Sequence, residues 1–342
     1  MIKTKVTAKI IAEQLGLSIA TVDRALNKRG NVKEETYQKI MQKAKELNYK
    51  PNKLASFLSR KEQFTIAIVF PEYPVYFWEQ VEKGITKAFN ELNDYGLDVK
   101  VFKIPDQDLT RGREIIQHII NSEKVDALSI AIGDDPFVEL IDYGIVNNLK
   151  ICTFNHDSPA SRRMFYVGSD YRKIGRLAAE LTSKFIGEKG EIALITSTDT
   201  TYQAQEKIAG FREVLKEYPN VEMVGPFKID RLNVNHSMDL IKNSLDGLSG
   251  IYVANAELSS IARYIEKLEG KRVLIGNDIN KEINEYIKKG IITATINQDP
   301  VNQGYLAVKK LFEHLIEEEY MNNKELITKL EIITKENAQF YI

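Results

Sequence analysis

From Phe64 to the C-terminus, short apolar runs alternate with longer stretches whose apolar residues recur every three or four positions. That alternation leaves a chain few options. The runs lie side by side as parallel strands, and each intervening helix carries the chain back across a sheet face. The pattern predicts strands over Thr65–Phe70, Asp98–Lys103, Ala127–Ile132, Lys150–Phe154, Glu191–Thr196, Val221–Phe227, Gly250–Ala254, Arg272–Ile275 and Thr293–Ile296, with helices such as Phe77–Leu92, Gly112–Asn121, Ile174–Ile186, Glu206–Glu217 and Val301–Ile316 between them. About nine to eleven strands are too many for one tidy sheet, so an α/β body of two doubly wound parallel-sheet lobes is expected. With 43% hydrophobic residues the chain can bury two such cores.

The first sixty residues are different in kind. Residues 1–61 carry 14 Lys/Arg against 5 Asp/Glu, whereas the remainder carries 33 against 43. A basic head on an acidic body is the electrostatic footprint of a nucleic-acid module joined to something else. The head also has a helical pattern. Thr7 is a candidate N-cap for Ala8–Gln14, and Gly16 suits a tight turn that needs positive φ. Ser18 is a candidate cap for Ile19–Asn27, whose apolar face is Val22, Ala25 and Leu26. Asn31, with Glu34 three residues on, reads as a capping box for a third helix with Ile40, Ala44 and Leu47 on its buried stripe. Helix, glycine turn, helix is the all-α helix-turn-helix arrangement, and it places the N-terminus of the second helix in the major groove. There Ile19 and Ala20 would face base edges, limited to contact with a thymine methyl, and Arg24 would reach a guanine edge. Ser18, Thr21, Thr36 and Tyr49 suit phosphate contacts, which position without reading sequence. Asn27 and Asn52 complete the expected DNA-contacting set.

In open α/β sheets ligands bind beyond the carboxyl ends of strands. Those ends carry Glu72-Tyr73-Pro74-Val75-Tyr76-Phe77-Trp78, Gly133-Asp134-Asp135-Pro136, Asn155-His156-Asp157-Ser158-Pro159, Asn255, Asp278 and Asn297-Gln298-Asp299-Pro300. Carboxylates and amides serve sugar hydroxyls, and aromatic faces stack on ring C–H. His156 reads more simply as a loop histidine. No G-x-G-x-x-G, no G-x-x-x-x-G-K-[ST] and no G-x-S-x-G accompanies them. The four histidines show no metal-ligand spacing. No catalytic residue, metal or cofactor is therefore expected. The single cysteine, Cys152, excludes an internal disulfide and reads as a buried core thiol. No run of about 18 apolar residues and no secretory leader is present, which leads to the expectation of a cytoplasmic protein without membrane contact.

The segment VTAKIIAEQLGLSIATVDRALNKRGNV, followed by ELNYKPNKLASFLSRK, resembles the head of the lactose-repressor (LacI/GalR) family over about sixty residues without a gap. The body resembles the type I periplasmic-binding-protein fold used by the same family. Its best local matches are the aromatic pair Phe77-Trp78, Ala209-Gly210-Phe211, Gly276-Asn277-Asp278 and the run Thr295–Tyr305. The resemblance implies a transcriptional regulator, a repressor by expectation, that acts as a homodimer on double-stranded operator DNA under a small sugar-like effector. It implies a head at 1–50, a hinge at 51–63 whose helix forms on operator DNA, and Leu58 as a minor-groove wedge. It implies a two-lobed domain at 64–342, one lobe about 64–162 with 297–322 and the other about 163–296 with 323–342. Phe77 and Trp78 would stack on the effector. Asp134, Asn155, Asp157, Asn255, Asp278 and Gln298 would bond it. Gln205 and Lys207 stand in the two places where relatives carry an arginine. Two other readings are a transporter's solute-binding protein, disfavoured by the missing leader and the basic head, and a sugar enzyme, disfavoured by the missing catalytic motifs.

Overall fold

The computed structural model describes residues 6–26, 30–47, 49, 62–105, 108–132, 135–198, 201–317 and 324–342. Asn27, Asn52, Leu58 and Asp134, singled out above, lie outside the described residues. The chain divides into two compact units, Met1–Glu62 and Gln63–Ile342.

The first unit holds three helices, α1 (Ala8–Leu15), α2 (Ile19–Leu26) and α3 (Glu34–Glu46). The Thr7 hydroxyl accepts from Ile10 N at 3.4 Å, and Ser18 Oγ accepts from Thr21 N at 3.1 Å, so both expected caps form. Gly16 has φ +63°, the left-handed conformation that lets the chain turn between α1 and α2. Ile11, Ala12, Val22, Ala25, Ile40 and Ala44 make a small buried core, with Leu47 and Tyr49 packed against it. The expected capping box at Asn31 does not form. Asn31 takes φ +56°, and Lys33 occupies the cap position without a side-chain bond. The start of α3 is favoured instead by Glu34 and Glu35, whose charges complement the helix N-terminus.

The second unit contains two six-stranded sheets. The nine expected strands all appear: β1 (Phe64–Pro71), β2 (Leu97–Ile104), β3 (Ala127–Ile130), β4 (Lys150–Phe154), β6 (Gly190–Ser197), β7 (Val221–Ile229), β8 (Gly250–Val253), β9 (Val273–Asn277) and β10 (Ala294–Asn297). Three strands of three residues each, β5 (Tyr166–Gly168), β11 (Glu325–Ile327) and β12 (Glu331–Ile333), were not expected, since three residues show no periodicity. The strand orders are β11-β5-β4-β3-β1-β2 and β12-β10-β9-β8-β6-β7. All pairings are parallel except β10 with β12. The central strands are near-continuous apolar runs because helices cover both faces. Ile116, Ile119, Phe137, Leu140 and Ile141 close one face of the first sheet.

The sheets locate the crossovers between lobes. β5 belongs to the first sheet, so the first crossing follows Gly168 and not the neighbourhood of Arg163. β11 also belongs to the first sheet and β12 to the second, so the last crossing follows Ile327 and not Asn322, which lies outside the described residues. The remaining crossing lies between β10 and the helix Pro300–Glu317, as expected near Asn297.

From residue 75 to residue 215 the described α-helices of the body are α4 (Val75–Leu92), α5 (Leu109–Ser122), α6 (Asp135–Val146), α7 (Tyr171–Phe185) and α8 (Tyr202–Leu215), and α7 and α8 approach backbone to backbone. A Cβ on Gly175 would stand 1.9 Å from the Lys207 carbonyl oxygen, and one on Gly210 would stand 2.0 Å from that of Arg172. These two glycines set the position of α8, and therefore of the side chains it sends into the cleft described next.

Candidate functional site

The carboxyl ends of both sheets meet around a cavity of about 150 Å³. The first lobe contributes Tyr73, Pro74, Phe77 and Trp78 after β1, and Asn155 and His156 after β4. The second lobe contributes Thr196–Thr198 at the end of β6, Thr201, Gln203, Ala204 and Lys207 from α8 and its cap, Arg231 after β7, Asn255 and Glu257 after β8, and Asn277 and Asp278 at the end of β9. Gln298, after β10, completes the wall. Asn155 and Asp278 end their strands in the same way. Their amides still pair with the neighbouring strand, to Val167 O at 2.8 Å and to Ile296 O at 2.9 Å. Their φ values of 55° and 61° are left-handed, which Asn and Asp tolerate better than other non-glycine residues. Such backbone is a recurrent feature of binding sites.

One wall is aromatic. Trp78 stacks on Phe70 at 5.2 Å between centroids, meets Phe77 edge-on at 5.1 Å and lies 6.4 Å from the His156 ring. The Trp78 indole N–H donates to Tyr73 O at 3.0 Å, which leaves the ring as an apolar surface. The opposite wall is polar. Gln298 Nε2 donates to both Asp278 oxygens, at 3.0 and 2.9 Å. Lys207 Nζ donates to Ala254 O at 2.9 Å. Gln203 Nε2 donates to the Tyr171 hydroxyl at 2.6 Å and to Asn155 O at 3.2 Å. Asn255 Nδ2 and Asn277 Oδ1 are buried without a hydrogen-bond partner among the described residues. One is a donor and the other an acceptor. A hydroxyl both gives and takes hydrogen bonds, so a polyol can satisfy the two together.

Burial governs the charges. It pushes Asp278 up to about 6, against the opposing pull of Lys207 and of the Gln298 hydrogen bonds, and it pushes Lys207 down to about 8, opposed by Asp278. Burial, reinforced by Lys207, holds the His156 imidazole down to about 4. Glu257 is raised, again by burial first, with Tyr73 and Arg231 pulling the other way.

These shifts yield a testable pH dependence. Asp278 holds its proton to a higher pH in the fold than its ordinary 3.8, so its contribution to stability is full below that value and is lost as the pH rises through 6. His156 has the reverse sign. Its ordinary value is 6.5, so its contribution is present above 6.5 and is lost as the pH falls through 4. Each amounts to about 3 kcal/mol, and they oppose each other over nearly the same window. His156→Asn therefore uncovers the Asp278 limb: between pH 4 and 6 the unfolding temperature of the variant rises less, or falls more, with pH than that of the parent. Calorimetry at stepped pH checks this, and a variant with the parent's slope would remove His156 from the balance.

The sequence-predicted residues are only partly brought together. Phe77, Trp78, Asn155, Lys207, Asn255, Asp278 and Gln298 line the cleft. Gln205 does not: it is exposed on the far side of α8. The cleft-facing glutamine is Gln203, four residues before Lys207 and hence on the same helix face. Asp157 does not line the cleft either. Its carboxylate is consumed by Arg163, with Nη2 at 2.6 Å from Oδ2 and Nε on Oδ1, and by the Thr153 hydroxyl at 2.6 Å. His156, read as a loop residue, is part of the lining, and Tyr73, Arg231 and Glu257 had no sequence signal beyond their places after strands.

In the head, Ser18, Ile19, Ala20 and Arg24 are exposed along one side of α2, with Ile19 at 51%. Thr21 and Thr36 are half-buried. An exposed isoleucine and alanine at a helix N-terminus, beside an arginine one turn on, form a surface of the shape and chemistry that a major groove accepts. Cys152 is buried as expected, its thiol donating to Ser129 Oγ at 3.2 Å. Among the described residues no group of His, Cys, Asp and Glu has the arrangement of a metal site, and no helix is long and apolar enough to cross a membrane.

Residues 66–319 match the periplasmic binding protein domain, and residues 7–52 match the bacterial regulatory proteins of the lacI family. The chain therefore belongs to the periplasmic binding protein domain family and carries, N-terminal to that domain, a lacI-family helix-turn-helix domain. It is 28% identical to catabolite control protein A of Staphylococcus aureus over 219 residues, 62% of each chain, so the match spans about three fifths of that relative's length. It is 25% identical to the ribose operon repressor of Halalkalibacterium halodurans over 272 residues, 78% of this chain and 77% of the relative. The crystal structure of GanP, a glucose-galactose binding protein from Geobacillus stearothermophilus, superposes with a TM-score of 0.74 at 26% identity, covering 81% of this chain and 99% of that one.

Proposed function

We propose that the protein is a sequence-specific transcriptional repressor whose hold on operator DNA is set by a small sugar or sugar-like effector bound between its lobes. The observation that carries this reading is one chain with two chemistries: a basic helix-turn-helix with Ile19, Ala20 and Arg24 exposed, and a two-lobed cleft with an aromatic wall facing amides and carboxylates. Its relatives' names, a catabolite control protein and a ribose operon repressor, and the sugar named for GanP support the same pairing. The protein acts by binding rather than by catalysis, in the cytoplasm, as a homodimer whose two heads read two half-sites. Ser18, Thr21, Thr36 and Tyr49 position the head on phosphate, and Asn27 and Asn52 complete the DNA-contacting set. Residues 51–63 form the hinge, and Leu58 is its wedge. Effector binding changes the relation of the lobes, and that change reaches the DNA through the hinge, a coupling between two sites.

The test is an electrophoretic shift on the gene's own upstream region, with and without pentoses, hexoses and polyols. A specific shift that a sugar reverses or strengthens is expected, and no specific shift at any palindrome overturns the reading. Within that assay, Arg24→Ala weakens operator binding by about 1–3 kcal/mol. Loss of the same size on random DNA would restrict Arg24 to phosphate contact.

A further inference from the structure

Besides the bond from Gln203 to Asn155 O, a cluster of three side chains joins the lobes across the cleft. Tyr73, on the first lobe, donates its hydroxyl proton to Glu257 Oε1 at 3.0 Å on the second. Glu257 is only 4% exposed, at the cap of helix Leu258–Ile265, so protein groups replace water around its carboxylate: the Tyr73 hydroxyl, the Arg231 charge and the backbone N–H groups of Ala256 and Glu257. The Arg231 guanidinium, also on the second lobe, lies 5.1 Å from the Tyr73 ring centroid, within cation–π range. Tyr73 is thus held at both ends, ring and hydroxyl, by the opposite lobe. Close by, the Tyr76 hydroxyl donates to Ala256 O and Gln80 to Ile279 O, each at a longer 3.5 Å. Tyr73, Arg231 and Glu257 all line the cavity. Tyr73 and Arg231 are half-buried, on its solvent side, whereas Phe77, Trp78 and Asp278 are buried.

We propose, on the reading that the cleft takes a small polyol, that Tyr73, Glu257 and Arg231 form a latch that closes the cleft and restricts the effector to a single sugar ring. The cavity of about 150 Å³ has room for on the order of ten water molecules, which is the displacement of one ring with its hydroxyls. Other lining residues also reach solvent, among them Thr198, exposed, and Pro74, Ser197, Thr201, Gln203 and Ala204, half-buried. A second, linked ring that leaves on the Tyr73 side meets the clamped ring. Admitting it there means breaking the Tyr73–Glu257 bond and taking one donor from a buried carboxylate. The three residues are therefore specificity determinants that the strand-end pattern does not reveal.

Trp78 is the single tryptophan, and its indole N–H is bonded to the Tyr73 carbonyl, so its fluorescence reports the latch without any effector. Acrylamide quenching of Trp78 is compared in the full-length parent, Tyr73→Phe, Glu257→Leu, which removes the acceptor, and the control Tyr264→Phe, which removes a surface bond to Asp239. Tyr73→Phe and Glu257→Leu shift the closed-to-open ratio on the order of tenfold, seen as stronger quenching and red-shifted emission, and Tyr264→Phe matches the parent. In a second arm Trp78 emission is followed with pentoses and hexoses, against maltose, lactose and cellobiose. Parent protein responds to single rings only, and Tyr73→Ala also admits disaccharides. Parent-like quenching in both latch variants overturns the proposal, as does a disaccharide that binds the parent as tightly as its component ring. If no sugar moves Trp78, the sugar reading falls and the quenching arm alone decides the latch.

Discussion

Asp278→Asn lowers effector affinity roughly 100-fold and leaves operator affinity in the absence of effector unchanged. Asparagine keeps the volume and tolerates the left-handed backbone at 278, so the strand end survives. What changes is the hydrogen-bonding sense. Gln298 donates to both carboxylate oxygens, and one of them becomes an NH₂ group that cannot accept. The counter-charge for Lys207 disappears in the same step, leaving a buried ammonium whose described polar contact is Ala254 O. An effector hydroxyl that gave its proton to a carboxylate now meets a neutral, partly mismatched amide. Hydrogen bonds to charged groups are worth about 1.5–3 kcal/mol, and the upper end applies where water is excluded. Isothermal titration with the effector found by thermal-shift screening measures the loss, and a mobility shift measures DNA binding. The head is a separate compact unit, so its DNA affinity is spared. Parent-like affinity in the variant would take Asp278 out of the contact set.

The second large effect is on stability. Asp157→Ala destabilises the body by about 3–5 kcal/mol, because it strands a buried guanidinium. Arg163 and Asp157 are both nearly inaccessible, and the pair is bidentate. Arg163 also donates to Lys324 O at 3.3 Å and lies 5.8 Å from the Tyr166 ring, so it ties the end of β4 to β5 and to the segment entering β11. Those strands adjoin two of the crossovers between lobes. The melting temperature of the variant falls on the order of 10 °C, read by calorimetry. Effector affinity of the folded variant stays within a few-fold of the parent. A variant of parental melting temperature that has lost effector binding would return Asp157 to the site, where its place after β4 first suggested it.

The contrast between Asp157 and Asp278 shows how far strand-end reasoning reaches. Both follow apolar runs, and both look like ligand groups. Which carboxylate remains available depends on whether a cation from elsewhere in the chain arrives to occupy it, and Arg163 is six residues away in sequence with no periodic relation to Asp157. The α8 residues teach a different lesson. Gln203 was within reach of sequence reasoning, because Lys207, Gly210, Phe211 and Val214 define a buried face and i−4 from Lys207 is 203. Gln205 came from matching a family position, and helical geometry places it opposite that face. Arg231 and Glu257 carried no such signal. They become a pair through Tyr73, more than 150 residues earlier in the chain.

Local chemistry was enough to determine the basic three-helix head, its two caps and glycine turn, the nine longer strands and the ends at which to look for a ligand. These follow from short-range rules: helical or two-residue periodicity, a hydroxyl reaching a nearby amide, the conformational freedom of glycine. Tertiary structure alone decided the three short edge strands, the crossover positions, the loss of Asp157 to Arg163 and the Tyr73–Glu257–Arg231 bridge. In each case no local rule applies. The edge strands and crossovers rest on segments too short to make a pattern, Asp157 and Arg163 are six residues apart with no helical or strand spacing between them, and the bridge exists only because two separately folded sheets bring residues more than 150 apart within hydrogen-bonding distance.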